Sequence, residues 1–442
     1  MTAREATLAA LAAFRRNQAW PELALGGSVE KYDMPAREAA LAARILGGVI
    51  ENMMLCDFYI DHYSSISLKK IEPRVLDIMR LSVYQLVFMD KIPPSAAVNE
   101  GVKLATKIAN PRAIGFVNAV LRKVAQAAQS DNLPEVTGNV IQRLSVKYSH
   151  PEWLIRELQS VLDDDAIEAF LTLNNKPDSP ALAQINTLLT NMDSVLAILD
   201  EDGIDATRHE WLDNCIEIRG ARNIVRLNAF IRGFIYIQDA ASRLAVMAAA
   251  PEPGYLVIDG CAAPGGKSFS SALAMQDQGK IVSFDINPAK LGRMQESIKR
   301  LGITIIDTME KDALTPAGEF IGRADVVFAD VPCSGFGVIR KKPEIRYKHE
   351  SDIAGLPDLQ KQILSALSTY VKPGGILLYS TCTVRSCENG GVIEYFLREN
   401  GQFDPESFSL PGAGHVQNGM ITLWPHIHGT DGFFICKLRR KS

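Results

Sequence analysis

No stretch of the chain reaches the roughly 18 consecutive apolar residues that a membrane-crossing helix needs, so no span is expected. Cysteine is sparse. Seven are scattered over 442 residues, an odd number with no paired spacing, which excludes a disulfide framework. No CxxC pair and no histidine cluster gives zinc spacing, so no metal is expected. The N-terminus MTAREATLAALAAFRR lacks the charged leader, apolar run and cleavage site of an export signal, and a cytoplasmic protein is the expectation. A large excess of positive charge is also missing: the net charge is −4. The balance is uneven, however. Residues 1–150 carry 18 Lys+Arg against 14 Asp+Glu, and the remainder 29 against 37, so local basic runs matter more than the total. The densest is Arg340, Lys341, Lys342, Arg346 and Lys348, with Tyr347 among them. Neither internal repeats nor low-complexity tracts occur.

What is present centres on Val257–Ser268, VIDGCAAPGGKS. Val257 and Ile258 predict the end of a buried parallel strand, Asp259 its carboxyl end, and Ser268–Met275 a helix beneath a loop of small residues. Two phosphate-binding readings fail. Gly260 is one position too early for a P-loop, with Cys261 where the glycine should stand, and no GxGxxG can be laid on the loop. The glycine loop of S-adenosylmethionine enzymes remains, and Asp285, ending the next predicted strand about 20 residues on, suits ribose hydroxyls.

The pattern predicts several domains. Residues 1–130 read as an all-α bundle, with helices over Ala96–Ile108 and Pro111–Ala125. A polar linker, Gln129–Asn139, precedes helices at Pro151–Leu162, with Pro151 at the first helical position, and from Asp163–Asp165 to Leu173. A small α+β insert follows within residues 140–235; it suits an RNA-gripping subdomain or a packing layer equally. Residues 236–442 alternate strands and helices as a doubly wound α/β sheet with a terminal hairpin, its strands including Ile303–Ile306 and Val326–Asp330.

Two of the predicted strands end near a cysteine: VVFADVPCSGFG places Cys333 just past Asp330, and ILLYSTCTVRSCE places Cys382 ahead of a helix holding Glu388 and Asn389. In an open α/β sheet, ligands sit at the carboxyl ends of the strands, so both thiols should face the glycine loop. A thiolate there has a use. Cytosine C5 is a poor nucleophile until a thiol adds across C6, and Asp330 is the nearest carboxyl to supply a proton near ring N3. Spacing alone does not rank the two cysteines.

Three segments, CAAPGGKS, DVPCSGFGVIRKKPEIRY and YSTCTVRSCEN, resemble the signature motifs of the Nop2/Sun (Fmu) family of RNA cytosine-5 methyltransferases, and QDAAS and LWPHIHGTDGFF resemble further family segments. PPSAAVNEGVKLATKIANPRAIGFVNAVLRKV resembles the NusB-like helical RNA-binding domain. The resemblance implies a NusB-like bundle, the α+β insert and a Rossmann-like class I methyltransferase domain, acting on 16S ribosomal RNA, with a monomer expected. It implies S-adenosyl-L-methionine as cofactor, held by Cys261, Ala262, Ala263, Pro264, Gly265, Gly266 and Lys267 with Asp285, Asp312 and Asp330. It further implies Cys382 as nucleophile, Cys333 as the cysteine needed for release, and the basic run at the mouth of the site, with Arg340 on a phosphate or base. The chain departs from the family at Phe336, where threonine is usual and base stacking is one use, at Val331, and at Gln184, where an arginine is expected.

Overall fold

The computed structural model describes residues 1–17, 20–176, 180–221 and 223–442, and for Asn17 the backbone only. They form two compact units, one of residues 1–175 with 342–348, the other of residues 176–341 with 349–442.

The first unit is helical throughout. Its helices begin where the sequence places proline or a capping side chain: Asn110 accepts from Ala113 N (2.9 Å) ahead of Pro111–Gln129. Asn139 and Gln142 form a reciprocal cap ahead of Val140–Tyr148. Apolar stripes bury Ile45, Val49, Ile78, Leu81, Val117 and Leu121 in one core. Pro151 is a cap rather than the first helical residue, and the helix is Glu152–Leu158, shorter than the pattern suggested. Into this unit runs the segment Lys342–Lys348. Arg346 is fully buried there and donates through Nη1 to Glu51 O (2.7 Å), Tyr148 O (3.2 Å) and Asn175 Oδ1 (2.9 Å), while Tyr347 OH donates to Ile50 O (2.6 Å).

The second unit opens with a small antiparallel sheet, order β2-β3-β1-β4, from β1 (Ala181–Ile185), β2 (Asp205–Arg208), β3 (Cys215–Arg219) and β4 (Ile235–Ile237). The large sheet contains β5 (Leu256–Asp259), β6 (Lys280–Asp285), β7 (Ile306–Glu310), β8 (Ala324–Asp330), β9 (Val371–Thr381), β10 (Phe403–Pro405), β13 (Met420–Leu423) and β14 (Phe433–Arg440), in the order β10-β14-β9-β8-β5-β6-β7 with β13 on β14. A separate two-stranded ribbon pairs β11 (Phe408–Leu410) with β12 (Gly414–Val416). β5 to β9 are parallel and β14 is antiparallel to β9. The chain order reverses between β5 and β8, so the loops leaving these strands diverge and open a crevice at their carboxyl ends.

One strand lies later than its apolar residues suggested. Ile303 N bonds to Ile298 O (3.2 Å) past the left-handed Gly302, so Ile303 and Thr304 connect the helix to β7, and the first bond to the sheet comes at Ile305 O, from Ile281 N of β6 (2.8 Å).

Candidate active site

The loop from β5 to the helix Gly266–Ala274 is shaped by backbone. Ala262 N bonds to Phe284 O (2.7 Å) and Gly265 N to Ala262 O (2.7 Å). Gly265 has φ +108°, and a Cβ there would stand 2.4 Å from the Phe269 ring, so both conformation and space require glycine. Asp285 spends its carboxylate on the same loop, accepting from Ala263 N (3.1 Å) with one oxygen and from Asn287 N (2.9 Å) with the other. Asp259 is buried. One oxygen accepts from Ser268 Oγ (2.7 Å), the other has no donor, and burial pushes its carboxyl up to about 6.

A cavity of about 430 Å³ is lined by Asp259, Ala262, Ala263, Pro264, Gly266, Lys267 and Asp330, facing Tyr236, Gln238 and Asp239. Cys261, Asp285 and Asp312 are not in its lining; Asp312 is exposed and accepts from Leu314 N (2.9 Å) in its own turn.

The two thiols meet. Cys333 Sγ lies 3.1 Å from Cys382 Sγ, both as free cysteines. The contact with Cys333 holds the Cys382 thiol below its ordinary pKa against burial and the Asp330 charge, with Lys267 helping. The same contact, with burial, pushes Cys333 up, so Cys382 is the more acidic thiol of the pair. Lys267, almost fully buried, places Nζ 2.6 Å from Asp330 Oδ2 and 5.1 Å from the centre of the Phe433 ring. Ser380 Oγ donates to the other Asp330 oxygen (2.7 Å). Asp330 is thus an ion-paired carboxylate between two donors.

Beneath the thiols lies a buried polar layer. Glu388 accepts from Ser334 N (2.8 Å), Gln360 Nε2 (2.9 Å) and Arg385 Nη1 (3.1 Å). Asn389 accepts from Thr381 Oγ1 (2.6 Å) and donates to Thr383 O (3.0 Å), and Ser334 and Thr383 share a hydroxyl bond (2.8 Å). Glu388 belongs to a 3₁₀ turn and Asn389 caps the helix Gly390–Glu399, so neither lies within a helix as expected. Gly337 N bonds to Cys382 O (3.0 Å), and a Cβ on Gly337 would lie 1.7 Å from Gly432 O, so two backbones touch beside the thiols.

The basic run does not stay together at a site mouth. Arg346 is a core residue of the helical unit, and Lys341 bridges Asp239 (2.7 Å) and Asp431 (2.8 Å). Burial, then Asp239, raises the Asp431 carboxyl to about 7. Phe336 is fully buried and fills the core, leaving no face for a base. Gln184 is likewise buried, donating to Cys215 Sγ (3.3 Å) and Gln238 O (3.2 Å), so its role is structural. Sequence reasoning missed the Lys341 bridge and the Glu388 layer. Their only signal was acids and amides crowded at the ends of apolar strands.

Sequence profiles agree with this geometry. That of the 16S rRNA methyltransferase RsmB/F family matches residues 246–439, that of the NusB family residues 1–126, and that of an RsmF/B-like ferredoxin-like domain residues 150–225. The probable ribosomal RNA small subunit methyltransferase B of Bacillus subtilis is 32% identical, over 99% of both chains. The chain belongs to the RsmB/F family. Its Synechocystis counterpart is 30% identical over the full length of both. Among solved structures, PH0851 has a TM-score of 0.82 at 28% identity, covering 99% of this chain and 98% of that one. As an RsmB/F protein, the chain is an S-adenosylmethionine-dependent ribosomal RNA methyltransferase. The residues present fit that cofactor: a side-chain-free loop, a cavity beside it, and a buried Asp259 oxygen still lacking a donor. Among the described residues no group of three or more His, Cys, Asp or Glu could hold a metal ion, and no single helix is long and apolar enough to cross a membrane.

Proposed function

We propose that the chain methylates C5 of a cytidine in 16S ribosomal RNA through a covalent bond between Cys382 and C6 of the base. The observation that carries this reading is the 3.1 Å approach of Cys333 to Cys382 beside the Lys267–Asp330 pair. Cys382 is the better nucleophile because its neighbour's S–H and the Lys267 ammonium favour its thiolate. Its attack forms the S–C6 bond and leaves C5 electron-rich, while ring N3 takes a proton from the Lys267 ammonium, relayed through Asp330. Bound S-adenosylmethionine supplies the electrophilic methyl group. The C5 proton then passes to solvent, the S–C6 electron pair leaves on the Cys382 sulfur, and the N3 proton returns to the Asp330–Lys267 pair, which restores the ring; Cys333 aids release by a hydrogen bond to the departing thiolate.

Cofactor contacts are assigned to residues 261–267 and Asp330 beside the cavity, with Asp285 at the end of β6 and Asp312 just past β7, both outside the cavity's lining, completing the set. Residues 1–130 are assigned to rRNA contacts, residues 140–235 to the linking helices and small subdomain, and residues 236–442 to catalysis. The test pairs two variants. Cys382→Ala should abolish methyl transfer to rRNA while still binding S-adenosylmethionine. Cys333→Ala should accumulate an RNA adduct that survives a denaturing gel. Near-normal turnover by Cys382→Ala removes the nucleophile assignment. Bisulfite sequencing of rRNA with and without the gene identifies the cytidine.

A further inference from the structure

The seven cysteines differ in what surrounds them. Cys56, Cys215 and Cys436 are buried, and burial pushes each of them up, so they are inert packing residues. Cys261 is half-buried and is raised by burial and by Asp259. Cys333 and Cys382 are also half-buried, but they face each other at 3.1 Å, within about 1 Å of sulfur–sulfur bonding distance. That approach is fixed from both sides. Around Cys333, Pro332 O accepts from Gln360 Nε2 (2.9 Å) and Ser334 N donates to Glu388 (2.8 Å). Around Cys382, Thr381 Oγ1 donates to Asn389 Oδ1 (2.6 Å) and Thr383 O accepts from Asn389 Nδ2 (3.0 Å). Glu388 and Asn389 are consecutive, so one short stretch holds both cysteines, and the hydroxyl bond between Ser334 and Thr383 (2.8 Å) ties the two loops directly.

The release step asks only that Cys333 reach Cys382 at the end of a turnover. Sulfurs held in contact in the resting protein have a further chemistry open to them, because Cys333 is a resolving thiol already in place. Cys382, the more acidic of the two, is the sulfur that meets an oxidant as thiolate. We propose that the pair is a site of oxidative modification by hydroperoxides, in which Cys382 is oxidised and Cys333 closes a disulfide onto it. The Cys382 thiolate attacks one peroxide oxygen. The S–O bond forms, the O–O bond breaks, and its electron pair leaves on the second oxygen, which takes up the proton lost by the thiol. Cys333 then attacks the sulfenic sulfur, the S–S bond forms, and the hydroxyl leaves as water with the Cys333 proton. The sulfurs lose two electrons in all, and the peroxide gains them. Closure keeps Cys382 from irreversible oxidation and removes the nucleophile, so methyl transfer stops until a dithiol reductant reopens the bond. That loss of transfer rests on the reading of Cys382 as nucleophile; the modification itself does not. Cofactor binding survives, because the loop that holds the cofactor is shaped by its backbone.

The test treats the full-length protein with hydrogen peroxide, alkylates the remaining thiols with iodoacetamide, and reads the non-reduced tryptic peptides by mass spectrometry beside methyl transfer and S-adenosylmethionine binding. Cleavage after Arg340 and Arg385 puts Cys333, Cys382 and Cys387 on separate peptides. A cross-link between Cys333 and Cys382 should appear, short by the two thiol hydrogens, with loss of methyl transfer, unchanged cofactor affinity and recovery of activity in dithiothreitol. At the same peroxide dose, Cys333→Ser should instead carry Cys382 on to the sulfinic acid, which dithiothreitol does not reverse. Cys387→Ser, which removes the exposed thiol nearest in sequence to Cys382, should behave as the wild type throughout. Both thiols still alkylated after peroxide, a cross-link from Cys382 to Cys387, or equal sulfinic acid in the wild type and Cys333→Ser would each overturn the site. The two readings fail separately. A cross-linked protein that still methylates rRNA keeps the modification and removes the nucleophile assignment, whereas loss of transfer in Cys382→Ala with no cross-link in the treated wild type does the reverse.

Discussion

The two sides of the crevice are built by different means. On the β5–β6 side, the cofactor loop is held by its own backbone, by a glycine with φ +108°, and by the Asp285 carboxylate, which accepts main-chain N–H groups. On the β8–β9 side, the thiols rest on buried side chains, with Glu388 alone joining Ser334, Gln360 and Arg385. A site of the first kind presents amides and open space to a ligand and depends little on any one side chain. The second fixes two reactive sulfurs at a set distance and depends on every member of its network.

If that contrast is right, the largest effect should come from Glu388→Ala, which removes the acceptor shared by Ser334 N, Gln360 and Arg385. A loss of about 3–5 kcal/mol in urea unfolding is expected, with collapse of methyl transfer. A loss below about 1 kcal/mol would mean that the layer is dispensable, and the contrast with it. Next in size is Lys267→Met, which joins the two sides. Removing its ammonium should raise the Cys382 thiol pKa. The measurement is the pH profile of iodoacetamide modification in a Cys333→Ala background, with and without the Lys267 change; coincident profiles would show that Lys267 does not act on the thiol.

The smallest effect should fall on the loop side. The Asp259 carboxyl is raised from the usual 3.8 to about 6, so the folded state binds the extra proton. Stability from this group is therefore full below pH 4 and is lost as pH rises through 6. Asp259→Asn should remove that slope and leave the ligand-free protein more stable near neutrality by about 1–3 kcal/mol, read as a pH series of thermal unfolding. A steeper slope in the variant would contradict the assignment.

The same contrast decides what the sequence made legible. Local rules placed the loop, Gly265 and the strands ending at Asp259 and Asp330, because apolar runs, an acid and small residues are written consecutively. They also brought Cys333 and Cys382 to one rim. They did not rank the two thiols, since the ranking depends first on the contact the two sulfurs make with each other and then on Lys267, all distant in sequence. β10, β11 and β12 are three residues each, too short to show a period. The basic run misled for a related reason. Composition gives Arg346 and Lys341 a charge, whereas their fates were set by carbonyls and carboxylates of remote segments.

The return of Lys342–Lys348 into the helical unit bears on how such a protein can be taken apart. A fragment cut after Asn175 keeps its helices among the described residues but loses the guanidinium on Glu51 O and Tyr148 O and the phenol on Ile50 O. Its severed edge would be a hollow where those two buried donors had been. Grafting or exchanging the amino-terminal module therefore requires a borrowed heptapeptide as well as the obvious cut.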